Sequence, residues 1–394
     1  MKLETSNGPF LGEVELPVSK SIANRYLIIA ALVDQKLQLP KGIPEDVRVL
    51  HQTLESDSDV LNIGMAGTAM RFLTAFFAVQ VGKTVTLTGA ERMKQRPIGE
   101  LVDALRILGA EVEYLESEGF PPLRITGKRL KGGQVEVSAS VSSQFISALM
   151  MIGPMMESGL QINLKGKVLS RPYIELTADC MGKCGVEVAI DGNSISVPTG
   201  TYQFPDLNVE SDWTSASYFY ALAAAKPKSR LLLKGLKLTS KQGDSFLAEW
   251  FEKIGVTSVQ KENGVEIQSS DEINFPKEID FIDNPDLAQT FAFLAATLGR
   301  PLKLTGLDNL RIKETDRVSA LKTELKKLGV SVLIEETTMT VSGSISAEEA
   351  YVKSYNDHRM AMSAAVLSAV IPVEIENPEV VAKSFPKFWS SVRW

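Results

Sequence analysis

The chain has 394 residues, of which 44% are hydrophobic and 23% are charged, and its net charge is −6. This length predicts two large domains, and the composition is that of an ordinary globular protein. No apolar run approaches the roughly 18 residues that a membrane span requires, and the acidic balance disfavours a general nucleic-acid or anionic-membrane surface. Any positively charged site must therefore be local.

The sequence offers neither a secretory signal nor a disulfide framework. Its first residues lack an apolar core, and its two cysteines, Cys180 and Cys184, lie four residues apart in a predicted helix. No histidine lies near them, so we expect buried thiols rather than metal ligands or a redox pair. We therefore expect a cytoplasmic protein without a metal site.

Helices that are apolar nearly all round recur along the chain, which predicts that they are buried. They occupy residues 26–33, 68–81, 143–155, 214–225, 287–298 and 360–370. Between them stand amphipathic helices that end near Gly109, Gly185, Gly255 and Gly329, which are separated by 76, 70 and 74 residues. A strand, a polar turn with hairpin chemistry and a second strand follow each of these glycines.

The order strand, buried helix, strand, amphipathic helix, strand, strand predicts an α/β fold in which helices are buried under small sheets. The repeats fall into two groups about a polar break near residues 209–212. We predict an N-terminal domain at residues 19–210 and a C-terminal domain at residues 211–394. The N-terminal strand, within residues 1–18, is expected to pack on the second domain.

Cations and hydrogen-bond donors recur at the predicted helix entrances. They lie in residues 19–25, 66–71, 96–97, 171–172, 313–317 and 356–359. A cation at a helix N-terminus is unfavourable by roughly 0.3–1 kcal/mol unless an anion is bound there. One such entrance alone would most simply be a solvated capping cluster, but their repetition favours a convergent site for separated phosphate and carboxylate groups.

The most highly charged entrance is the segment from Arg311 to Arg317, which precedes a periodic helix that ends near Gly329. We expect Asp316 to cap this helix and to pair with Arg317. Lys313 and Glu314, together with the more distant Asp286, offer an acid/base set, with ordinary ion pairing of Lys313 as the alternative.

Common catalytic motifs are missing from the sequence. It has no Walker loop, dinucleotide fingerprint or nucleophile elbow. Its two histidines, His51 and His358, are too few for a histidine-based metal site or a serine triad. Lysine and carboxylate groups must therefore carry any proton transfer.

Six segments together resemble motifs of the 3-phosphoshikimate 1-carboxyvinyltransferases, or EPSP synthases, in the order of that family. They are Ser19-Lys20-Ser21-Ile22-Ala23-Asn24-Arg25, Ala66-Gly67-Thr68-Ala69-Met70-Arg71, Gln95-Arg96-Pro97-Ile98, Ser142-Ser143-Gln144, Lys313-Glu314-Thr315-Asp316-Arg317 and Asn356-Asp357-His358-Arg359. The resemblance covers nearly the whole chain. It implies a two-domain enolpyruvyl-transferase-like fold of six related βαβαββ units, with substrates in the interdomain cleft.

The resemblance also implies a reaction of chorismate and aromatic amino acid biosynthesis. The 5-hydroxyl of shikimate 3-phosphate attacks C2 of phosphoenolpyruvate, and the tetrahedral intermediate then loses phosphate. The only implied partners are these two small substrates, with no nucleic acid, membrane, metal or organic cofactor. We expect a monomer.

The family's functional residues carry over to matching positions of this chain. The implied proton-transfer and hydroxyl-contacting residues are Asp286, Glu314 and Lys313. The implied shikimate 3-phosphate ligands are Lys20, Ser21, Arg25, Ser142, Ser143, Gln144, Ser170, Tyr173, Asp286, Asn309 and Lys313. The implied phosphoenolpyruvate ligands are Lys20, Gly67, Arg96, Gln144, Arg317, His358, Arg359 and Lys383.

Three departures from the family pattern stand out. Val18 replaces the usual glycine before Ser-Lys-Ser, and Met65 replaces the usual asparagine before Ala-Gly-Thr. Between Val33 and Gly64 the chain lacks a β-α-β piece of about 30 residues, so the first unit is expected to be shortened. Two alternatives stay open: a UDP-N-acetylglucosamine carboxyvinyltransferase-like enzyme, whose family typically places a catalytic cysteine on a mobile loop, and an impaired paralogue that only binds anions.

Overall fold

The computed structural model describes residues 1–140 and 142–393 and divides the chain into two compact units. The unit that we call the terminal unit comprises Met1–Ser19, Gly42–Glu45 and the chain from Glu210 onward. The second, called the inserted unit, comprises Lys20–Lys41 and Asp46–Val209. Both ends of the sequence therefore belong to the terminal unit.

The strands lie as follows: β1 (Lys2–Leu3), β2 (Leu11–Glu15), β3 (Val60–Asn62), β4 (Thr84–Thr88), β5 (Glu111–Tyr114), β6 (Leu123–Thr126), β7 (Gly133–Ser138), β8 (Leu160–Lys165), β9 (Ala189–Asp191), β10 (Ser194–Val197), β11 (Arg230–Lys234), β12 (Val256–Lys261), β13 (Gly264–Ser269), β14 (Glu278–Asp280), β15 (Leu302–Thr305), β16 (Ser331–Glu335), β17 (Thr338–Ser342), β18 (Ala350–Val352) and β19 (Val373–Ile375).

The helices are α1 (Lys20–Leu32), α2 (Glu45–Leu54), α3 (Gly67–Ala78), α4 (Glu91–Lys94), α5 (Gly99–Ile107), α6 (Ser143–Ile152), α7 (Arg171–Lys183), α8 (Trp213–Ala225), α9 (Leu247–Ile254), α10 (Ala288–Leu298), α11 (Arg317–Lys327), α12 (His358–Ala364) and α13 (Phe388–Ser391). Short 3₁₀ turns precede or follow several of them. Among the described residues, no helix is long and apolar enough to cross a membrane.

Four of the sheets repeat one strand arrangement. Their orders are β3-β4-β6-β5, β7-β8-β10-β9, β2-β11-β13-β12 and β14-β15-β17-β16. In each sheet the first two strands are parallel, and the remaining pairs are antiparallel. The repeat predicted from the glycine spacing is thereby confirmed as a βαβαββ unit. A helix connects the parallel pair in three of these sheets, whereas the inserted unit and α8 lie between β2 and β11 along the chain.

The N-terminal strands pair within the terminal unit. Strand β1 is antiparallel to β19, which is parallel to β18, and these three form a fifth sheet. Strand β2 runs parallel to β11 from Leu11 opposite Arg230 to Glu15 opposite Lys234. The start of the chain therefore completes two sheets whose other strands come from the second half of the sequence.

The first repeat of the inserted unit is short, as predicted. Between the end of α1 at Leu32 and the start of β3 at Val60, the structure describes α2 and no strand. The segment that contains α2 supplies one residue, Asp46, to the site described below.

Two kinds of helix follow from two hydrophobic patterns. Helix α8 is apolar all round, and every residue from Trp213 to Ala224 is buried. Helix α9 buries only Leu247, Phe251 and Ile254, which share one face because they recur at intervals of four and three residues. Each large apolar side chain contributes about 1.5–3 kcal/mol when buried. Helices such as α8 therefore form the core, and amphipathic helices such as α9 pack one face against it.

The glycines that end the amphipathic helices have a structural reason. At Gly255 the backbone turns to φ 116°, and its N–H donates to the carbonyl of Phe251 at 3.0 Å. This left-handed conformation ends α9 and lets β12 begin at the next residue. A residue with a Cβ would adopt the same conformation only at a cost in free energy. The corresponding φ values at Gly109, Gly185 and Gly329 are 99°, 83° and 82°.

Candidate active site

In the inserted unit, the start of α3 carries a buried arginine. Arg96 is only 7% exposed, and its guanidinium lies against Gly67, the first residue of α3. A Cβ on residue 67 would stand 2.6 Å from the Arg96 Nη1 atom, so any side chain there would displace the guanidinium. The glycine of the Ala66-Gly67-Thr68 segment is therefore required by the close approach of Arg96.

The Arg96 side chain lacks hydrogen-bond acceptors of its own. Within residues 1–140 and 142–393, neither Nε nor Nη1 of Arg96 has a hydrogen-bond partner. A buried cationic donor without an acceptor is costly, and the N–H groups at the start of α3 add positive potential. The arrangement fits a phosphate or carboxylate group, which the guanidinium fork and the helix N-terminus would share.

The start of α6 lies beside the start of α3. The Ser142 hydroxyl caps α6 by accepting the N–H of Gln144 at 3.2 Å, and Gln144 Nε2 donates to the Thr68 hydroxyl at 3.2 Å. Ser143 is buried at the first position of α6. Two helix N-termini with polar side chains thus lie close together.

Arg25 is buried in the inserted unit, where its guanidinium hydrogen-bonds to groups on three helices. Its guanidinium donates to the carbonyls of Ser21 and Tyr173 at 2.8 and 2.9 Å and to the hydroxyls of Thr177 and Ser147 at 2.8 and 3.2 Å. Burial lowers its pKa. These bonds tie α1 to α6 and α7. Arg25 therefore fixes the neighbourhood of Ser21 and Tyr173, and a ligand role for its guanidinium stays a prediction.

Two further predicted ligands lie at helix starts of the inserted unit. Ser170 is buried immediately before α7 and has a left-handed backbone, with φ 57°. Lys20 is the first residue of α1, and its Nζ lies 3.1 Å from Asp46 Oδ2. No motif or pattern in the sequence pointed to Asp46, which lies in the shortened segment and contacts Lys20. One N–H of the Lys20 ammonium group donates to Asp46, and an ammonium group has two further N–H donors.

In the terminal unit, two carboxylates each lie between two cations. Asp286 accepts from Arg317 Nη1 at 3.0 Å and from Arg359 Nη2 at 2.7 Å. Glu314 accepts from Arg317 Nη2 at 3.0 Å and from Lys383 Nζ at 3.0 Å. Residues predicted separately from four parts of the sequence thus form one charged cluster.

Arg317 is the centre of this cluster and is 1% exposed. Its Nε donates to Asp357 Oδ2 at 2.7 Å, and its Nη2 lies 3.3 Å from Asp357 Oδ1. Burial alone would lower the pKa of Arg317, but the carboxylates of Asp357, Glu314 and Asp286 outweigh burial and raise it. Asp357 stands in the Asn356-Asp357-His358-Arg359 motif, but no local pattern predicts its bond to Arg317, which lies 40 positions earlier.

The predicted pairing of Asp316 with Arg317 is wrong. Asp316 does cap α11, accepting the N–H of Ser319 at 3.1 Å, but its ion pair is with Arg311 at 3.3 Å. Arg317 is on the buried face of α11, whereas Asp316 stands before the helix and remains partly exposed.

The remaining predicted residues of the terminal unit lie on short turns. Asn309 precedes the 3₁₀ turn Leu310–Ile312, and its buried Oδ1 has no hydrogen-bond partner in the described part of the chain. Lys313 follows that turn and is partly exposed. Lys383 ends another 3₁₀ turn and is 7% exposed. His358 opens α12, with Nδ1 3.9 Å from Asp357 Oδ1.

One buried carboxyl that sequence reasoning did not select borders the cluster. Asp244 is 2% exposed and accepts from Asn284 Nδ2 at 3.0 Å and from the Thr214 hydroxyl. Burial, with the nearby charge of Asp286, raises the pKa of Asp244 to about 6. Asn284 also donates to the carbonyl of Gly243 at 2.9 Å, so this contact fixes the turn that leads into Asp286.

We expect Asp244→Asn to change how stability depends on pH. Because the folded pKa of about 6 exceeds the ordinary 3.8, the native protein binds the extra proton between these values and loses that stabilisation as pH rises through 6. The asparagine variant lacks this titration. Relative to the parent, it should gain about 2 kcal/mol in unfolding free energy between pH 4 and pH 7. Denaturant unfolding of both proteins at both pH values measures this, and an equal difference at each pH would contradict it.

Comparison with known proteins decides the family. The model of the EPSP synthase (3-phosphoshikimate 1-carboxyvinyltransferase) family matches residues 45–392. A 3-phosphoshikimate 1-carboxyvinyltransferase of Bacteroides fragilis is 44% identical over 388 residues, which cover 96% of this chain and 94% of the relative. One from a Sulfurovum species is 38% identical over 414 aligned positions, covering 96% and 95%.

This chain belongs to the EPSP synthase family. The resemblance drawn from its motifs is thereby confirmed, and its named relatives are transferases. A solved EPSP synthase from Acinetobacter baumannii has a TM-score of 0.76 and 23% identity, covering 98% of this chain and 96% of that chain. That likeness confirms the predicted enolpyruvyl-transferase-like fold.

The cysteines of this family member do not suit the chemistry of the UDP-sugar alternative. Cys180 is 1% exposed and Cys184 is fully buried, both in or beside α7. Burial raises the pKa of Cys180 to about 12 and that of Cys184 to about 11. Such thiols keep their protons and are poor nucleophiles.

No group of three or more candidate metal ligands among the described residues is arranged to hold an ion.

Proposed function

We propose that this EPSP synthase family member transfers the enolpyruvyl group of phosphoenolpyruvate to the 5-hydroxyl of shikimate 3-phosphate and releases phosphate. The observation that carries the proposal is the buried Arg96 guanidinium at the start of α3, whose Nε and Nη1 lack acceptors within the described chain. A polyanionic substrate supplies the acceptors that this cation lacks.

Phosphoenolpyruvate carries a phosphate and a carboxylate, and each needs its own cationic contacts. In the inserted unit, Arg96 has a planar fork suited to either group, with Gly67 leaving room for the approach. Lys20 lies at the start of α1 and Gln144 in the first turn of α6, both in that unit. In the terminal unit, the proposed contacts are Arg317, His358, Arg359 and Lys383.

Shikimate 3-phosphate carries one phosphate, a carboxylate and hydroxyl groups, so its proposed ligands are more often neutral donors. In the inserted unit these are Lys20, Ser21, Arg25, Ser142, Ser143, Gln144, Ser170 and Tyr173. In the terminal unit they are Asp286, Asn309 and Lys313. The buried Asn309 Oδ1 is suited to accept a sugar-like hydroxyl, because it has no other partner among the described residues.

The chemistry requires three proton transfers. The acceptor hydroxyl loses its proton as its oxygen bonds to C2, while the methylene C3 gains a proton and becomes a methyl group. In the second step the methyl group loses a proton as the C2–O bond to phosphate breaks. Lys313 contacts the attacking oxygen, and the carboxylates of Glu314 and Asp286 accept or return the protons. Cations on both sides hold these two carboxylates in place.

The proposed reaction predicts a substrate-dependent release of phosphate. With phosphoenolpyruvate present, the protein should release phosphate on addition of shikimate 3-phosphate and not on addition of UDP-N-acetylglucosamine. Calorimetry with each substrate alone supplies the control for binding. Release with the UDP sugar would overturn the choice of acceptor, whereas binding of both substrates without release would identify an impaired paralogue.

A further inference from the structure

The turn that leads into α12 contains two left-handed residues in succession. Tyr355 has φ 55° and Asn356 has φ 53°, and Asp357 and His358 follow them directly. This conformation is unfavourable for residues that carry a Cβ, and such residues persist only where surrounding contacts hold them. The turn precedes Arg359, which reaches Asp286 at 2.7 Å. Its backbone therefore determines where part of the charged cluster lies.

A buried carboxylate holds this turn. The Tyr355 hydroxyl donates to Glu324 Oε1 at 2.5 Å, and the Glu324 side chain is 0% exposed. The Lys327 ammonium and the Lys353 N–H donate to Glu324 Oε2 at 2.6 and 3.3 Å, so the acceptor is itself fixed. Burial and the bond to Glu324 raise the pKa of Tyr355, which keeps the hydroxyl protonated as a donor.

Helix α11 attaches to the turn at two points. Arg317 and Glu324 are seven residues apart on α11, which places them on one face two helical turns apart, and both are buried. Arg317 binds Asp357, and Glu324 binds Tyr355. Asp357 in turn accepts the N–H of Arg359 at 2.9 Å. Two contacts from one rigid helix thus fix the residues that precede His358 and Arg359.

We propose that the Glu324–Tyr355 hydrogen bond is a positioning contact for phosphoenolpyruvate use, because it holds the left-handed turn that sets His358 and Arg359. This inference rests on the proposed function. Neither Glu324 nor Tyr355 contacts substrate in this account, and both act through the backbone of the turn.

Kinetics of Tyr355→Phe test the contact. Loss of a hydrogen bond to a buried charge should raise the KM for phosphoenolpyruvate about tenfold and leave the dissociation constant of shikimate 3-phosphate unchanged. Tyr351→Phe, at a tyrosine that is 50% exposed, is the matched control. Adding Asn356→Gly to Tyr355→Phe should bring the KM back toward the parent value, because glycine adopts the left-handed conformation readily.

A second readout separates this inference from the proposed function. In the substrate-free protein, the amides of residues 355–359 should exchange hydrogen faster in Tyr355→Phe than in Tyr351→Phe. Unchanged exchange, or a lower melting temperature with an unchanged KM for phosphoenolpyruvate, would overturn the positioning role. A parent protein that releases no phosphate would overturn the proposed function alone, since the exchange experiment needs no turnover.

Discussion

Replacing Lys313 with methionine is expected to lower the single-turnover rate by about 10²–10⁴-fold, the usual value of a positioned proton-transfer group. Methionine keeps most of the length of the side chain and removes its ammonium group. Lys313 is partly exposed beside a turn and has no place in the core, so the melting temperature should stay near that of the parent. The dissociation constants of both substrates should change much less than the rate.

The matched control is Lys326→Met, which removes a lysine from the exposed end of α11. Rapid-quench kinetics, calorimetry and thermal unfolding on both variants separate chemistry from binding and folding. If Lys313→Met turns over within a few-fold of the parent, or loses stability instead of rate, then Lys313 is an ion-pairing residue. Proton transfer would then rest on Glu314 and Asp286.

The second large effect is expected at Arg96. Arg96→Ala should raise the KM for phosphoenolpyruvate about 100-fold, because a guanidinium fork makes two charge-assisted hydrogen bonds to one anion. Shikimate 3-phosphate binding should be spared. The substrate-free variant should be as stable as the parent or more so, since the change removes a buried cation whose Nε and Nη1 lack partners in the described chain.

Two further variants sharpen the Arg96 experiment. Arg96→Lys keeps the charge but loses the fork, so its KM should lie between those of the parent and Arg96→Ala. Arg92→Ala removes a neighbouring, less buried arginine and should leave the KM unchanged. Equal loss of both substrates in Arg96→Ala, with the fold intact, would count against the assignment of this cation to phosphoenolpyruvate.

The fold was largely predictable because its signals are local and repeated. All-round apolar helices, helix-ending glycines and polar hairpin turns are each readable within a short window, and they recur in four sheets of the same strand order. The shortened first unit was visible as missing length between Val33 and Gly64.

The candidate site was predictable in its residue types but not in its pairings. Asp357 meets Arg317 across 40 positions, and Glu324 meets Tyr355 across 31. Asp46 meets Lys20 from a segment with no recognisable signal. Such partners are set by how helices pack, so a sequence window that correctly finds Arg317 still pairs it with its neighbour Asp316.

The most direct measurement follows the bridging oxygen of phosphoenolpyruvate. Elimination of phosphate from the tetrahedral intermediate breaks the carbon–oxygen bond at C2. An isotopically heavy bridging oxygen should therefore leave with the phosphate, and mass spectrometry should find an equal amount of carboxyvinyl ether on shikimate 3-phosphate. Heavy oxygen retained in a pyruvate product would mean that the phosphorus–oxygen bond breaks, as in phosphoryl transfer or hydrolysis, and would contradict the proposed enolpyruvyl transfer.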